Sequence, residues 1–126
     1  MIYNFKLELR QILGDFVLIP RFVDSAHYIV KMGDNYQSIV EKEALAKDEK
    51  EEARDVFWLL EVDCKDEVEF SKGIRLLSDL IARCGYHFYI CGISRSIQCY
   101  IPKAWHDLIF KVLLNNGFSI RPVERN

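Results

Sequence analysis

The four cysteines of the chain are the residues whose spacing could most directly support metal or redox chemistry. They are Cys64, Cys84, Cys91 and Cys99, and gaps of seven and eight residues separate the last three. Zinc sites generally use Cys or His pairs only about two to four residues apart. We therefore predict no metal site and no bound cofactor, and we expect Cys64, Cys84 and Cys99 to be small buried apolar side chains.

A second chemical candidate is the pair of His87 and Cys91, which share one face if the segment is a strand. A Cys–His pair needs a third group that orients the histidine before it can act as a nucleophile. No carboxylate occurs in residues 80–106. His27 has no local partner, and we interpret His106, next to Trp105, as a surface histidine that flanks a core tryptophan rather than as a general base. We therefore predict no catalytic residue and favour a protein without enzymatic activity.

The register of the hairpin in YICGISRSIQCY decides whether Cys91 and Cys99 can meet. A three-residue loop centred on Arg95 would place the two thiols opposite each other, as a redox pair requires. A two- or four-residue loop shifts the pairing by one residue and puts them on opposite faces. This second register collects the apolar side chains on one face: Phe88, Ile90, Ile97, Cys99 and Ile101. We predict the second register, which excludes a disulfide.

The second half of the chain carries clear boundary signals that predict the order βαββαβ. Asp66 and Glu69 form a capping box at a helix start, and Gly85 is a typical helix stop. The predicted elements are a strand over 53–63, a helix from Asp66 to Cys84, strands over 86–93 and 96–101, a helix from Pro102, and a strand over 118–123. Over residues 55–124 this order predicts an α+β ferredoxin-like unit, with two helices on one face of a four-stranded antiparallel sheet.

We predict that the first half of the chain extends that unit and that residues 1–126 form a single domain. Residues 5–16 fit both a strand and a helix, and we favour the helix; Asp15–Val23 and Ala26–Met32 resemble a β-hairpin, which completes an extension over 1–38. A capping-box pattern at Ser38 predicts a charged helix over 39–54. Its apolar stripe is narrow, so we expect this helix to be solvent-facing and mobile.

Composition and charge limit the classes of partner. The net charge is −2, and the acidic excess comes from residues 41–54, which hold six carboxylates and four cations. Long-range nucleic-acid binding requires a basic surface that the rest of this balanced chain does not provide. No apolar run approaches the length of about 18–20 residues that spans a bilayer, and the start of the chain does not resemble a signal peptide. We expect a cytoplasmic protein with reduced thiols.

The open face of the predicted sheet is the main candidate for binding. If Trp58, Leu60 and Val62 face the helices, then Phe57 and Leu59 point outward, beside Tyr89 and Tyr100. Such an apolar face needs a cover. The candidates are residues 16–32 of the same chain, a second copy, another protein, or bases of single-stranded RNA. The strand SIQCYI lacks the basic-Gly-aromatic pattern of an RNA-recognition motif, which makes RNA an unfavoured alternative.

Further contact residues lie outside the sheet face. Phe110 and Leu114 are four residues apart and fall off the buried stripe predicted for the last helix, which consists of Trp105, Leu108, Ile109, Val112 and Leu113. Arg95 and Lys103 make their region locally basic. The predicted partner-binding set is Phe57, Tyr89, Tyr100, Phe110, Leu114, Arg95 and Lys103.

The stretches LEVDCKDEVEFSKGIRLLSDLI and LLNNGFSI resemble parts of GNAT acyltransferases. In that family a glycine-rich loop at a helix start holds the pyrophosphate of acetyl-CoA with its backbone N–H groups. Only Gly73 matches the loop, and it falls within the predicted helix. The resemblance implies a degenerate acyltransferase as the enzymatic alternative, or a relative that has lost cofactor binding.

The missing catalytic motifs, the size and the apolar sheet face together favour a non-enzymatic regulatory protein that binds another protein or a second copy of itself. Inhibitors, immunity proteins and phage-encoded inhibitors of host defences share this profile, and that analogy extends only to the class of protein.

Overall fold

A computed structural model describes residues 7–85 and 88–124 of the chain. It is a mixed α/β protein. Its strands are β1 (Glu8–Ile19), β2 (Tyr28–Met32), β3 (Asn35–Glu41), β4 (Val56–Asp63), β5 (Tyr89–Ile93), β6 (Ser96–Pro102) and β7 (Ser119–Val123). Its helices are α1 (Lys47–Glu52), α2 (Glu67–Arg83) and α3 (His106–Asn115), with short 3₁₀ turns at Lys42–Ala44 and Lys103–Trp105. None of the helices in the described ranges is long and apolar enough to cross a membrane.

The strands follow the order β2-β3-β1-β4-β6-β5, and β7 pairs with β1. The pairs β1–β3, β2–β3 and β5–β6 are antiparallel, whereas β7 runs parallel to β1. The predicted order βαββαβ is found from β4 to β7. The ferredoxin-like fold is not confirmed, because β1 lies beside β4 and takes β7 as its own neighbour.

Two compact units divide the chain. One contains residues 7–13 together with the described residues from Trp58 onward, and the other is Gly14–Phe57. The core of the first unit is formed by both long helices and the strands beneath them, and its fully buried residues include Leu60, Leu77 and Ile109. The core of the second unit is smaller: Val17, Ile19, Val23, Val40 and Leu45. The single domain inferred from the sequence stays a prediction.

Local signals set the bounds of α2 as expected. The side chain of Asp66 accepts a hydrogen bond of 2.8 Å from the backbone N–H of Glu69, which satisfies one free donor of the first turn. The carboxylate of Glu69 in turn accepts from the N–H of Lys65 at 3.1 Å. Gly85 follows the helix with φ +79°, a conformation that favours glycine. The capping residues therefore fix both ends of the helix that covers this sheet.

A close approach between α2 and β5 depends on Gly92. A Cβ added at Gly92 would lie 2.9 Å from Cδ1 of Ile74 and closer still to the ring of Phe70. Those two side chains fill the space that a larger residue in the strand would need. Glycine at this position therefore lets the helix pack directly on the backbone of β5.

The prediction of a helix over residues 5–16 is wrong for the part that the structure describes. From Glu8 onward these residues form β1. The alternating pattern decides the matter: Leu9 is buried in the core, whereas Arg10 points to the other face and binds Glu61. The β1 strand also gains backbone partners on both sides, which a helix there would leave without pairing. Phe5 lies outside the described residues.

Two other predictions for the first half are wrong. The segment Ala26–Met32 forms no hairpin with Asp15–Val23; its strand β2 pairs instead with β3, across a turn at Gly33, which has φ +63°. The helix over 39–54 is mostly absent, because residues up to Glu41 belong to β3. Only the short α1 remains, and none of its residues is buried, as expected of a charged solvent-facing helix. The mobility expected for it stays a prediction.

Ion pairs hold α1 in the second unit. Nε of Arg21 lies 2.8 Å from Oε2 of Glu52, and Nη2 lies 3.3 Å from Oε2 of Glu49. The hydrogen bond from Arg21 is the main reason why the pKa of Glu52 is lowered from its ordinary value. This segment is therefore attached mainly by charge, because it buries no apolar side chain.

Candidate functional site

Two of the predicted contact residues, Phe57 and Tyr100, are not on the surface. Phe57 is 2% exposed and Tyr100 is 0% exposed, and Leu59 on the same face is 2% exposed. The face is therefore closed, and the prediction that these aromatic side chains meet a partner is wrong. The expected alternation is correct on the other face, since Trp58, Leu60 and Val62 belong to the core under the helices.

Three predicted contact residues keep part of their surface. Tyr89 and Phe110 are half-buried, and Leu114 is 53% exposed. Phe110 packs against the core, with its ring centroid 6.0 Å from that of Trp58, whereas Trp105 and Leu108 of the predicted stripe are exposed; the buried face of α3 is therefore rotated toward Phe110. Leu114 faces solvent. Their roles in binding stay predictions.

The two basic contact residues are both exposed, and Arg95 also has a structural role. Its Nη1 donates a hydrogen bond of 3.0 Å to the carbonyl of Lys65, while its own carbonyl accepts from the N–H of Cys64 at 2.8 Å. Lys103 lies in the 3₁₀ turn before α3, and its carbonyl accepts from Nδ1 of His106 at 2.8 Å. The two contacts of Arg95 fix the β5–β6 turn against the segment before α2, whereas the contact of Lys103 is at the start of α3.

The polar part of the outer face is a network of paired charges. Nη2 of Arg10 lies 3.2 Å from Oε1 of Glu61 and 3.1 Å from Oδ2 of Asp63, and Gln98 donates to Glu61 at 3.5 Å. Burial alone would lower the pKa of Arg10, but the hydrogen bonds and charges of the two carboxylates raise it above its ordinary value. Because the charges are mutually satisfied, this network is suited to holding strands together rather than to acid–base chemistry.

The structure separates two of the four thiols, and His87, the predicted neighbour of Cys91, lies outside the described residues. The pairing of Ile90 with Cys99 and of Cys91 with Gln98 puts Cys91 and Cys99 on opposite faces, which confirms the predicted register. Burial raises the pKa of Cys99 to about 12 and also raises the pKa of Cys64 and Cys84. Among the described residues, no group of three or more His, Cys, Asp and Glu side chains could hold a metal ion.

An aromatic cluster surrounds His106. Its ring centroid lies 4.3 Å from that of Trp58 and 5.8 Å from that of Phe110, and its Nε2 lies 2.9 Å from Oδ1 of Asp107. Both ring nitrogens therefore face acceptors, the second being the carbonyl of Lys103. The contacts explain a fixed orientation of the imidazole at the start of α3.

Within the described residues, β5 lies at one end of the strand order and pairs with a single strand, β6. The β5–β6 hairpin closes with a two-residue turn, Ser94 and Arg95, both at positive φ, and Ile93 pairs with Ser96. A turn of this kind requires that the closing pair exchange both backbone hydrogen bonds, so Ile93 bonds to β6. Because the pattern alternates along the strand, the N–H and C=O groups of Ile90 and Gly92 point away from β6.

Three strands form sheet edges in the described ranges, and they differ in how they are protected. The β2 edge contains Lys31, and the β7 edge contains Arg121 and Pro122. Charged residues and proline are the usual protection of an edge against pairing with another chain. The sequence of β5, YICGI, contains neither. It is therefore the edge best suited to accept another strand.

The side chains of β5 are consistent with that use. Ile93 is 64% exposed and Gly92 is exposed, whereas Ile90 and Cys91 are half-buried. Sequence reasoning selected Tyr89 in this strand but missed Ile93, because it searched the faces of the sheet rather than its edges. The signal was present as a run of five uncharged residues without proline.

Key residues on which the two alternative functions were based are buried. Stacking of RNA bases needs exposed aromatic side chains, and Phe57 and Tyr100 are buried. Binding of acetyl-CoA in the manner of GNAT enzymes needs a glycine-rich loop before a helix. Gly73 is a buried residue inside α2, six residues after the helix begins at Glu67.

Comparisons with known proteins identify the fold but no function. No family model matches the sequence, and no curated protein matches it. The chain is similar in structure to protein Atu0741 from Agobacterium tumefaciens, with a TM-score of 0.68, 13% sequence identity and 96% of each chain covered. It is also similar to VC0802 from Vibrio cholerae, a protein of unknown function described as a possible transport protein. There the TM-score is 0.61 and the identity 12%, over 87% of this chain and 88% of the other.

Proposed function

We propose that this chain is a non-catalytic protein-binding module that accepts an uncharged, apolar β-strand along the free edge of β5. The observation that carries the proposal is the composition of that edge. It ends the strand order, and it is the described edge without a charged residue or a proline. Regulatory proteins commonly bind partners in this way, with main-chain hydrogen bonds giving affinity.

The backbone of β5 supplies the main contacts. The outward N–H and C=O groups of Ile90 and Gly92 can form four hydrogen bonds with an antiparallel strand. Each bond replaces one to water, so its net contribution to binding is only about 1 kcal/mol. Binding therefore also requires burial of the apolar side chains around this edge.

Ile93 supplies much of that apolar surface, since it is 64% exposed at the end of β5. Full burial of an isoleucine side chain contributes about 1.5–3 kcal/mol relative to its exposed state. A charged residue in the partner strand would meet no opposite charge within β5. The preferred partner strand is therefore uncharged and rich in β-branched or aromatic residues.

A short capped peptide of alternating Val and Thr residues tests the proposal. We expect it to bind to the protein and to shift the backbone amide NMR signals of Ile90 and Gly92 more than that of Cys91, whose N–H bonds to β6. The same peptide with all of its amides N-methylated cannot donate hydrogen bonds and should not bind.

A matched pair of variants separates edge binding from general hydrophobic adsorption. Ile93→Lys should weaken peptide binding about tenfold or more, because a charge on the edge must be desolvated when the strand pairs. Leu114→Lys changes a similarly exposed apolar residue on α3 and should leave binding unchanged. Equal loss in both variants, or signal changes centred on α3, would contradict the proposal.

A further inference from the structure

We infer that the strand that occupies the edge of β5 is β5 of a second copy, paired antiparallel about a two-fold axis that passes beside Cys91. This inference rests on the proposed function, since it requires that the edge accept a strand. It adds the identity of the partner and the register of the pairing.

The backbone pattern limits the registers that two β5 strands can adopt. Only Ile90 and Gly92 of the five residues direct their hydrogen-bonding groups outward, so those positions must face each other across the axis. Pairing Ile90 with the second copy's Gly92 satisfies both residues in both chains. It also places Cys91 directly opposite the second copy's Cys91, and all five residues of each strand are then paired.

The side chains agree with this centred register. It places Ile93, which is 64% exposed, opposite the second copy's Tyr89, which is half-buried. An aromatic residue opposite a β-branched residue is a favourable cross-strand pair. A two-fold axis pairs two strands of identical sequence, so any charge in β5 would lie close to the same charge in the second copy. Because β5 contains no charged residue, no such repulsion arises within the strand pair.

The helix above β5 leaves room on the same side. Phe70 and Ile74 of α2 contact the position of Gly92, so this flank of the helix faces the free edge. The neighbouring positions on the flank are Glu67, Ser71 and Ser78, of which the two serines are small. The hydroxyl of Ser78 donates to the carbonyl of Ile74 at 2.6 Å and is therefore folded back onto its own helix. A second copy can approach at Ser71 and Ser78, whereas the exposed side chain of Glu67 at the start of the helix must point away from it.

A charge exchange at Cys91 tests the partner and the register together. Wild-type protein should show a molar mass that rises to that of a dimer with concentration, and Cys91→Ser should behave similarly. Cys91→Lys alone and Cys91→Glu alone should each dimerise about tenfold more weakly or worse, because like charges then lie directly opposite each other. An equimolar mixture of the two should recover the dimer.

The same exchange at Ile93 is the matched control. In the centred register residue 93 faces Tyr89, so mixing Ile93→Lys with Ile93→Glu should not recover more dimer than either variant alone. Recovery at position 93, or no recovery at position 91, would overturn the register. Wild-type protein that stays monomeric at all concentrations but binds the Val-Thr peptide would overturn the inference and leave the proposed function standing. Failure of both experiments would remove both.

Discussion

The contact between Gly92 and the helix above it gives a quantitative test of the packing that shapes the β5 edge. In Gly92→Ala, the new Cβ would lie 2.9 Å from Cδ1 of Ile74 and nearer still to Phe70, whereas ordinary contacts begin at 3.4 Å. Side chains of α2 must therefore move. Overpacking of this kind costs about 1–3 kcal/mol. Alanine also restricts the unfolded chain, which returns about 0.4–1 kcal/mol.

The expected net result is a decrease in the free energy of unfolding of about 1–2 kcal/mol, which lowers Tm by about 4 °C for each kcal/mol. Denaturant unfolding at low protein concentration measures it without a contribution from association. The cost should fall by about 1 kcal/mol when Phe70→Leu is present as well, because the shorter side chain makes room. An alanine variant that is as stable as wild type, or more stable, would refute the packing argument.

Three further outcomes are expected. Ser94→Asn should raise the free energy of unfolding by about 0.5–1 kcal/mol in chemical denaturation, because asparagine tolerates the positive φ of 49° better than serine. At pH 8 a thiol reagent should modify Cys91 and leave Cys99 unmodified in native protein, since burial raises the pKa of Cys99 to about 12. Rapid labelling of Cys99 would contradict its buried position. Arg10→Gln should destabilise the fold by about 1 kcal/mol, and Arg121→Gln, with a more exposed ion pair, by less than about 0.5 kcal/mol.

The elements of the second half could be predicted because each boundary has its own local signal. Asp66 caps α2, and Gly85 follows its end with positive φ. The register of the β5–β6 hairpin also followed from the sequence, because one register divides apolar from polar residues and the other does not. Such signals depend on neighbouring residues, so they need no knowledge of the whole sheet.

The predictions for the first half of the chain were wrong where pairing between distant segments determines the structure. Residues 8–19 have an apolar pattern that fits two periods, and their partners in β3, β4 and β7 are distant in sequence. The hairpin of β2 and β3 did have a local signal, since Gly33 and Asp34 form a typical turn sequence between two β-branched runs. The capping-box pattern at Ser38 predicted a helix start there. In the structure Ser38 caps no helix, and its hydroxyl donates to the carbonyl of Arg21 at 2.8 Å.

The candidate site could not be predicted as an edge because the order of strands is not a local property. The position of β1 beside β4 widens the sheet, and the outer face that includes Phe57 and Tyr100 is buried. Because that face is closed, we propose the edge of β5 as the binding site instead. The composition of β5 was visible from the start, but its position at an edge required the structure.

Hydrogen–deuterium exchange of the backbone amides in β5 shows whether this strand accepts a partner strand. At low concentration the amides of Ile90 and Gly92 should exchange rapidly, because they point away from β6, whereas the amide of Cys91 should be protected. On raising the protein concentration, or on adding the Val-Thr peptide, we expect the amides of Ile90 and Gly92 to become protected while the amide of Cys91 changes little. If neither condition slows exchange at Ile90 and Gly92, β5 does not accept a strand, and both the proposed function and the proposed dimer are wrong.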